Sequence, residues 1–261
     1  MNNNYCFSVL SLKPKYQVLA KKLARDIEKY FPETSLVIGT DNPETFQDCK
    51  NVLAFKLERK GILLPYHDKR FVIEKALTQF KVVIQIDADT NITNSVSSGT
   101  LEAIRNSSPA LAALHTENLV KHVQAYNPER FDCLCKLADK LSININDVTY
   151  IGEALFAVSG DREKTTEFIQ QWGLIARYLE LKGIHAGEGN AIGMAATKVG
   201  LDIIKPSWLE DIKQVTHHFD ASSTLKSKTT LWNKLTTKVN YHYRLNKARI
   251  LALKDFDFYY R

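Results

Sequence analysis

Along the first part of the chain, the positions of apolar and polar residues predict strands and helices that follow one another in turn. Residues 5–12 predict a short strand, and from Pro14 to Tyr30 apolar residues recur every three or four positions. That spacing is typical of a helix with one buried face. The run TSLVIGTD at 34–41 predicts a second strand. A strand, a helix and a strand over this distance predict a βαβ unit, with its site along the carboxyl ends of parallel strands.

The later part of the chain continues this alternation and ends in a different kind of sequence. Segments that read as strands are 51–57, 81–92 and 150–160, and segments that read as helices are 71–80, the stretch from the cap Asp161 to Gly183, and 191–199. After about residue 221 the sequence becomes basic and aromatic. We therefore predict an α/β catalytic domain over 1–220 and a C-terminal helical extension over 221–261.

Composition sets the class of protein. A chain of 261 residues with 44% hydrophobic residues can bury one sizeable core. No run of about 18 uncharged apolar residues is present, and the N-terminus has no basic leader with a cleavage site, so we expect a soluble, cytoplasmic protein. The four cysteines are scattered, which favours reduced thiols over a zinc site. The net charge of +6 favours an anionic partner such as a nucleotide diphosphate, nucleic acid or an acidic membrane.

The basic and aromatic extension fits three roles. It can pack onto the catalytic domain or onto a second subunit of a homo-oligomer. It can bind an anionic membrane surface, which would make the protein peripheral to the membrane. Stacking on nucleic-acid bases is the least favoured role. The sequence alone leaves these alternatives open.

Two acidic residues, Asp87 and Asp89, follow the five consecutive strand-like residues 82–86. Carboxylates roughly 4–5 Å apart repel by about 3–4 kcal/mol at an effective dielectric of about 20, so the pair favours a bound cation or a shared proton. An oxygen-rich site suits Mg²⁺ or Mn²⁺, which would bridge phosphate oxygens and stabilise a departing diphosphate. A solvated pair of loop acids is the alternative interpretation.

A βαβ unit followed by a hydrophobic strand that ends in Asp-Ala-Asp resembles the GT-A glycosyltransferases. The resemblance implies a Rossmann-like mixed sheet flanked by helices, and Mn²⁺ or Mg²⁺ as cofactor. It implies transfer of a hexose from a nucleoside-diphosphate sugar, with a UDP-sugar favoured, to a hydroxyl of a glycan or lipid-linked acceptor. It further implies that Asp87 contacts the ribose or sugar, and the metal with it, and that Asp89 is a direct metal ligand.

The segment VTHHFDASSTLKSK at 215–228 resembles the late strand of glycogenin-like enzymes, where a histidine is the third metal ligand and a lysine touches the diphosphate. The resemblance implies His218 as the ligand, with His217 second, because adjacent side chains of a strand face opposite sides. Lys226 and Lys228 are the diphosphate candidates, since an ammonium binds phosphate as a point charge. The Gly and Lys-Pro-Trp of the glycogenin pattern are absent from this segment, which leaves the subfamily open. An ordinary surface or core histidine pair is the alternative.

Four further candidates come from the same resemblance. A basic residue on the helix before the Asp-Ala-Asp strand would reach the donor, for which Arg70 is a candidate, with a solvated charge as the alternative. Gly152 and Glu153 would lie near the sugar, although Gly152 is also compatible with an ordinary strand irregularity. Glu188 would contact the transferred sugar or act as a base. Its alternative role is that of an acid favoured at a helix N-terminus.

Two other classes of protein share parts of this pattern. A phosphatase of the haloacid dehalogenase class would use Asp87 as its nucleophile in a DxDxT motif. The fifth position here is Asn91, and the motif lies far from the N-terminus, which both count against this class. A sugar-nucleotide-binding protein without catalytic activity is the second alternative.

Overall fold

A mixed β-sheet forms the centre of the computed structural model, which describes residues 4–219, 221 and 231–261, with side chains from residue 236 in the last range. The strands of this sheet and of two small ribbons are β1 (Tyr5–Ser11), β2 (Ser35–Thr40), β3 (Val52–Lys56), β4 (Val82–Ile86), β5 (Thr90–Ile92), β6 (Ala110–Ala113), β7 (Thr116–Asn118), β8 (Thr149–Ile151), β9 (Leu155–Ser159), β10 (Ile203–Ile204) and β11 (Thr216–His218).

The strands of the central sheet lie in the order β10-β6-β9-β4-β1-β2-β3. β1 pairs in parallel with β2 and β4, and β2 pairs in parallel with β3, as the predicted βαβ unit requires. β9 runs antiparallel between β4 and β6, so the sheet is mixed. The parallel half brings the carboxyl ends of β1, β2 and β4 to one edge, where open α/β sheets bind ligands.

Helices cover both faces of this sheet. They are α1 (Pro14–Tyr30), α2 (Lys69–Leu77), α3 (Ser98–Arg105), α4 (Leu119–Tyr126), α5 (Phe131–Leu141), α6 (Arg162–Leu181), α7 (Glu188–Val199), α8 (Ser207–Val215), α9 (Leu231–Ala252) and α10 (Phe256–Tyr260). Successive residues of a strand face opposite sides of the sheet. Cys6 therefore joins the hydrophobic cluster completed by α2 and α6, whereas Phe7 joins the one completed by α1 and α8.

Two of the strands predicted from the sequence are each divided in the structure. The run 81–92 forms β4 and then β5, and the run 150–160 forms β8 and then β9. β5 pairs with β11 and β8 pairs with β7, in two small antiparallel ribbons. Both breaks matter for function, because each one turns acidic side chains out of the plane of the central sheet. The cap predicted at Asp161 is present, since its side chain accepts a hydrogen bond from the backbone N–H of Lys164 (2.8 Å).

Helices α9 and α10 pack against the rest of the structure near α6. Arg244 Nε on α9 donates to the carbonyl of Ile62 (3.0 Å), and Arg177 Nη1 on α6 donates to the hydroxyl of Tyr259 (3.3 Å). Ala252 and Tyr259 are buried. The domain boundary predicted from composition stays a prediction. Within the described ranges, no helix is both long and apolar enough to cross a bilayer.

Candidate active site

A cavity of about 820 Å³ opens at the carboxyl ends of β1, β2 and β4. That volume lies within the range of roughly 300–1,000 Å³ typical of small-molecule sites. Its lining includes Leu12, Tyr16 and Asp41 (the β1–β2 wall), Asp87, Asp89 and His218 (the metal-ligand cluster), Lys69, Glu153 and Glu188 (the Lys69 group), and His122, Arg130 and Tyr150 (the α4 wall).

The metal-ligand cluster brings His218 to Asp87 and Asp89, which lie more than a hundred positions earlier in the sequence. One ligand atom from each of Asp87, Asp89 and His218 lies within 4.8 Å of the others. The ribbon of β5 and β11 produces this geometry, because its register sets His218 opposite Thr90. The backbone N–H of Phe219 then donates to the carbonyl of Asp89 (3.0 Å). As a result, His218 Nδ1 lies 3.6 Å from Asp89 Oδ1.

The donor set of this cluster fits a divalent cation. Carboxylate oxygens suit Mg²⁺ and Mn²⁺, and imidazole nitrogen is a common ligand of transition metals. Asp89 Oδ2 also accepts a hydrogen bond from the backbone N–H of Ala221 (2.9 Å), which fixes the carboxylate. His218 is about a third exposed, with 34% of its side chain accessible, so the cluster opens toward the cavity. The cluster could therefore hold a divalent metal that keeps positions for further ligands.

Lys69 is the centre of a group of buried charges beside this cluster. Its Nζ lies 2.8 Å from Asp87 Oδ1 and 3.0 Å from Glu188 Oε1, and it donates to the carbonyl of Glu153 (3.3 Å). Burial by itself would lower the pKa of Lys69, but the carboxylates of Asp87 and Glu188 outweigh it and raise this pKa above its ordinary value. The ammonium is therefore charged and holds two carboxylates of the cavity in place.

The two glutamates of the Lys69 group differ in their ionisation. Burial by itself would raise the pKa of Glu188, but Lys69 outweighs it, and this pKa lies below its usual value. Burial, reinforced by the neighbouring Glu188, raises the pKa of Glu153 to about 7. Glu153 Oε1 accepts a hydrogen bond from the backbone N–H of Gly189 (3.0 Å). Near neutral pH, Glu188 is thus ionised, and Glu153 is close to half protonated.

Two glycines let α7 approach β8 closely enough to hold Glu188 at the cavity. A Cβ atom on Gly189 would lie 2.1 Å from the carbonyl oxygen of Ile151, and one on Gly193 would lie 1.8 Å from that of Thr149. Both distances are far below van der Waals contact, and the obstacle is backbone of a paired strand. A larger residue at either position would push α7 away from β8. The glycine next to Glu188 therefore serves helix packing.

The β1–β2 wall carries a carboxylate in a fixed position. The backbone N–H of Lys13 donates to both oxygens of Asp41 (3.2 Å each), and Gln17 Nε2 donates to Asp41 Oδ1 (2.6 Å). Tyr16 and Leu12 lie beside it in the cavity lining. A fixed carboxylate next to an aromatic ring can accept hydrogen bonds from a ligand that also offers a flat or apolar face.

The α4 wall is aromatic and cationic. The rings of His122 and Tyr150 are stacked, with centroids 3.5 Å apart and planes 10° from parallel. His122 Nδ1 and Glu117 Oε1 share a hydrogen bond, which fixes the imidazole. Arg130 Nη1 donates to the carbonyl of Ala186, at the approach to α7 (3.1 Å). This wall offers a ligand a rigid ring surface and a guanidinium group.

The basic residue that α2 supplies to the cavity is Lys69, and its neighbour Arg70 lies elsewhere. Arg70 Nη1 donates to the carbonyl of His67 (2.8 Å), and its side chain packs against Gly173 of α6. A contact between Arg70 and a donor stays a prediction. Sequence reasoning missed Lys69 because neighbouring helical residues point about 100° apart, and the pattern did not fix which one faced the site.

The remaining candidates from the sequence have distinct positions. The side chain of His217 is exposed and alternates with that of His218, which alone of the two joins the metal-ligand cluster within the described residues. The backbone N–H of Gly152 donates to the carbonyl of His115 (2.8 Å), and a Cβ there would lie 2.7 Å from the Cβ of that histidine. Lys226 and Lys228 lie outside the described residues.

Comparison with known proteins bears on the fold. No protein-family model matches this sequence, and no curated protein matches it. Among solved structures, the galactosyltransferase LgtC in complex with donor and acceptor sugar analogues is similar, with a TM-score of 0.53. The match covers 91% of this chain and 95% of the LgtC chain at 9% sequence identity, so the likeness is one of fold. This chain has the fold of the GT-A glycosyltransferases.

Proposed function

We propose that this protein is a metal-dependent glycosyltransferase. It moves a hexose from a nucleoside-diphosphate sugar, with a UDP-sugar favoured, to a hydroxyl group of a glycan or lipid-linked acceptor. The observation that carries the proposal is the Asp87–Asp89–His218 cluster, which lines the same cavity as the ion pair of Lys69 and Glu188. The GT-A fold and the likeness to a galactosyltransferase in complex with donor and acceptor sugar analogues support it.

Asp87, Asp89 and His218 would hold the cofactor, Mn²⁺ or Mg²⁺. When bound, the cation supplies positive charge to the diphosphate and stabilises it as a leaving group. Lys69 holds Asp87 Oδ1 (2.8 Å) and leaves the second carboxylate oxygen for the cation. Lys226 and Lys228 are proposed to add charge against the diphosphate from the segment outside the described residues.

The other walls divide the substrate between them in this proposal. The nucleoside lies against the β1–β2 wall, where Asp41 accepts hydrogen bonds from its hydroxyl or amino groups. The hexose lies over the Lys69 group, and Glu188 accepts hydrogen bonds from its hydroxyls. An ionised carboxylate already paired with an ammonium (3.0 Å) is better suited to that role than to removing a proton. The acceptor sugar enters along the α4 wall.

A thermal-shift screen tests the donor site. The wild type is melted with UDP, GDP and CDP, each with and without Mn²⁺, beside Asp89→Ala and the control Asp139→Ala, which removes an exposed carboxylate from α5. One nucleotide should raise the melting temperature in a metal-dependent way, as binding to the folded state requires. Asp89→Ala should abolish the rise, and Asp139→Ala should keep it. With the matching sugar nucleotide, Asp89→Ala should lower kcat by about 10²–10³-fold.

Other results would point elsewhere. A rise that survives Asp89→Ala, or no rise with any nucleotide, would overturn the proposed donor site. Phosphate covalently attached to Asp87 after incubation with a phosphomonoester would favour the phosphatase alternative. Metal-dependent nucleotide binding without transfer or hydrolysis of any sugar nucleotide would favour a binding protein.

A further inference from the structure

Exposed apolar side chains concentrate at the C-terminal end of the described chain. Six large hydrophobic residues of α9, α10 and the turn between them are between 42% and 66% exposed, namely Val239, Tyr243, Ile250, Leu253, Phe256 and Tyr260. The other large exposed hydrophobic residues of the described ranges are spread along residues 18–126. Scattered exposed apolar residues are normal, but a concentration of them indicates an interaction surface.

We call these six exposed side chains together the outer face. On α9, positions 239, 243 and 250 follow the spacing of a single helix face, and Leu253 comes three residues after Ile250 in the turn that follows. The opposite face is the packed one, where Arg244 contacts Ile62 and Ala252 is buried. The hydroxyl of Tyr260 donates to the carbonyl of Arg249 (3.2 Å), which joins α10 to α9. This contact places the exposed Tyr260 beside the C-terminal turns of α9, which carry Ile250.

The charge of the chain is concentrated in the same segment. Nine of the 35 lysines and arginines lie in residues 221–261, against two of the 29 acidic residues, so this segment carries a formal charge of +7 and the rest carries −1. Lys238, Lys247, Arg249 and Lys254 are exposed on α9 and the turn after it. The long side chains of these residues can extend from beside the apolar groups to an anionic layer above them.

We infer that the outer face docks onto an anionic lipid surface. An amphipathic helix with apolar residues and flanking lysines lies in the interface of an anionic bilayer, and each Lys or Arg near the surface strengthens binding. The aliphatic residues Val239, Ile250 and Leu253 have no ring to stack on nucleic-acid bases. A second copy of the chain would bring a like charge of +7 against the same face, which opposes association.

The packed side of α9 contacts a loop that reaches the cavity. The loop that receives Arg244 at Ile62 continues into Leu63 and Tyr66, both more than a third exposed, and Tyr66 lines the cavity. The helix that carries the outer face is therefore held on a loop that lines the cavity. This suits an acceptor carried on a lipid, a point that rests on the proposed function, whereas docking itself does not.

Vesicle sedimentation tests the docking surface without any turnover. The full chain is spun with vesicles of phosphatidylcholine alone and of phosphatidylcholine with an equal part of phosphatidylglycerol. The double variant Ile250→Ser with Leu253→Ser is compared with the control Val18→Ser with Leu53→Ser, which removes two exposed apolar residues of α1 and β3. Wild type and control should bind only the vesicles that contain phosphatidylglycerol, and this binding should weaken at high salt. The variant Ile250→Ser with Leu253→Ser should bind these vesicles at least about tenfold more weakly.

The same experiment can overturn the inference. Equal sedimentation of both double variants, or equal binding to both kinds of vesicle, would contradict the inference that the outer face docks onto an anionic lipid surface. A concentration-dependent dimer that the first variant loses, with no binding to either vesicle, would assign the face to a second copy of the chain. Because the substituted residues are exposed, both variants should keep the melting temperature of the wild type, and this is checked before sedimentation.

Discussion

The adjacent residues Asp68 and Lys69 belong to two different groups of charged side chains, which differ in their ratio of carboxylates to cations. Lys69 belongs to the cavity group, which we define as Lys69, Asp87, Glu153 and Glu188. In this group a single ammonium faces three carboxylates. Asp68 enters a second group, the Asp68 cluster, whose members are Asp68, Glu180, Arg59, Arg70 and Arg244. One group has more carboxylates than cations, and the other has more cations than carboxylates.

The Asp68 cluster is a structural device. Asp68 accepts hydrogen bonds from the backbone N–H groups of Lys60 (2.8 Å) and Gly61 (3.1 Å), and Glu180 Oε1 accepts one from Ile62 (2.9 Å). These contacts tie the segment around residue 61 to α6. Carboxylates that are satisfied by backbone donors and neighbouring guanidinium groups have little left to offer a ligand.

The cavity group has the opposite property. Its carboxylates outnumber its ammonium, and Asp89 adds another carboxylate next to Asp87. Residual negative charge at a buried site favours an additional cation. Burial of charge is therefore common to both groups, and an excess of negative charge distinguishes the binding site. Three substitutions test this distinction.

The largest effect is expected from Lys69→Ala. Removing the ammonium leaves Asp87 and Glu188 buried without their partner, which should lower the free energy of unfolding by about 3–5 kcal/mol and abolish transfer activity. Denaturant unfolding measures the first effect. Lys75→Ala, an exposed lysine of the same helix, is the matched control and should change stability by less than about 0.5 kcal/mol. Equal losses in the two variants would contradict a cavity group held together by Lys69.

A smaller effect, confined to stability, is expected from Asp68→Ala. Two backbone N–H groups lose their acceptor, so the free energy of unfolding should fall by about 2–3 kcal/mol. Metal-dependent nucleotide binding should remain. Isothermal titration calorimetry, carried out below the lowered melting temperature, measures it. Loss of nucleotide binding in a folded Asp68→Ala protein would show that the two groups are not separate in function.

The smallest effect is a change in pH dependence for Glu180→Gln. Burial raises the pKa of Glu180 to about 7, above its ordinary value near 4.5. The unfolded chain releases this proton first, so stability contributed by the protonated acid is complete below about pH 4.5 and is lost as pH rises to about 7. Between about pH 5 and pH 7 the wild type should lose about 2 kcal/mol relative to Glu180→Gln. Parallel stability curves for the two proteins would exclude a raised pKa.

The two acidic residues that follow strand β4 were predictable from the sequence. Asp87 and Asp89 follow a run of strand-forming residues, and the pattern of a buried strand can be recognised in a short window of sequence. His218 came from a resemblance, and the register of β5 with β11 brings it to the acids. The elements of the first βαβ unit were predictable for the same local reason.

The rest of the site depends on contacts that no window of sequence contains. The choice between Lys69 and Arg70 rests on the rotation of α2 about its axis, which the packing of Arg70 against α6 sets. The division of the run 150–160 arises because β8 pairs with β7 while β9 joins the central sheet. Both outcomes follow from tertiary packing, which overrides local pattern.

The close packing of α7 on β8 limits how the sequence can vary among related chains. Gly189 and Gly193 admit no side chain at all, since backbone carbonyls occupy the space of a Cβ atom. A related chain that keeps Glu188 at the cavity must then keep a glycine one residue and five residues after it, even where every neighbouring residue has changed. The pattern Glu-Gly-x-x-x-Gly is therefore the sequence requirement of this contact between a helix and a strand.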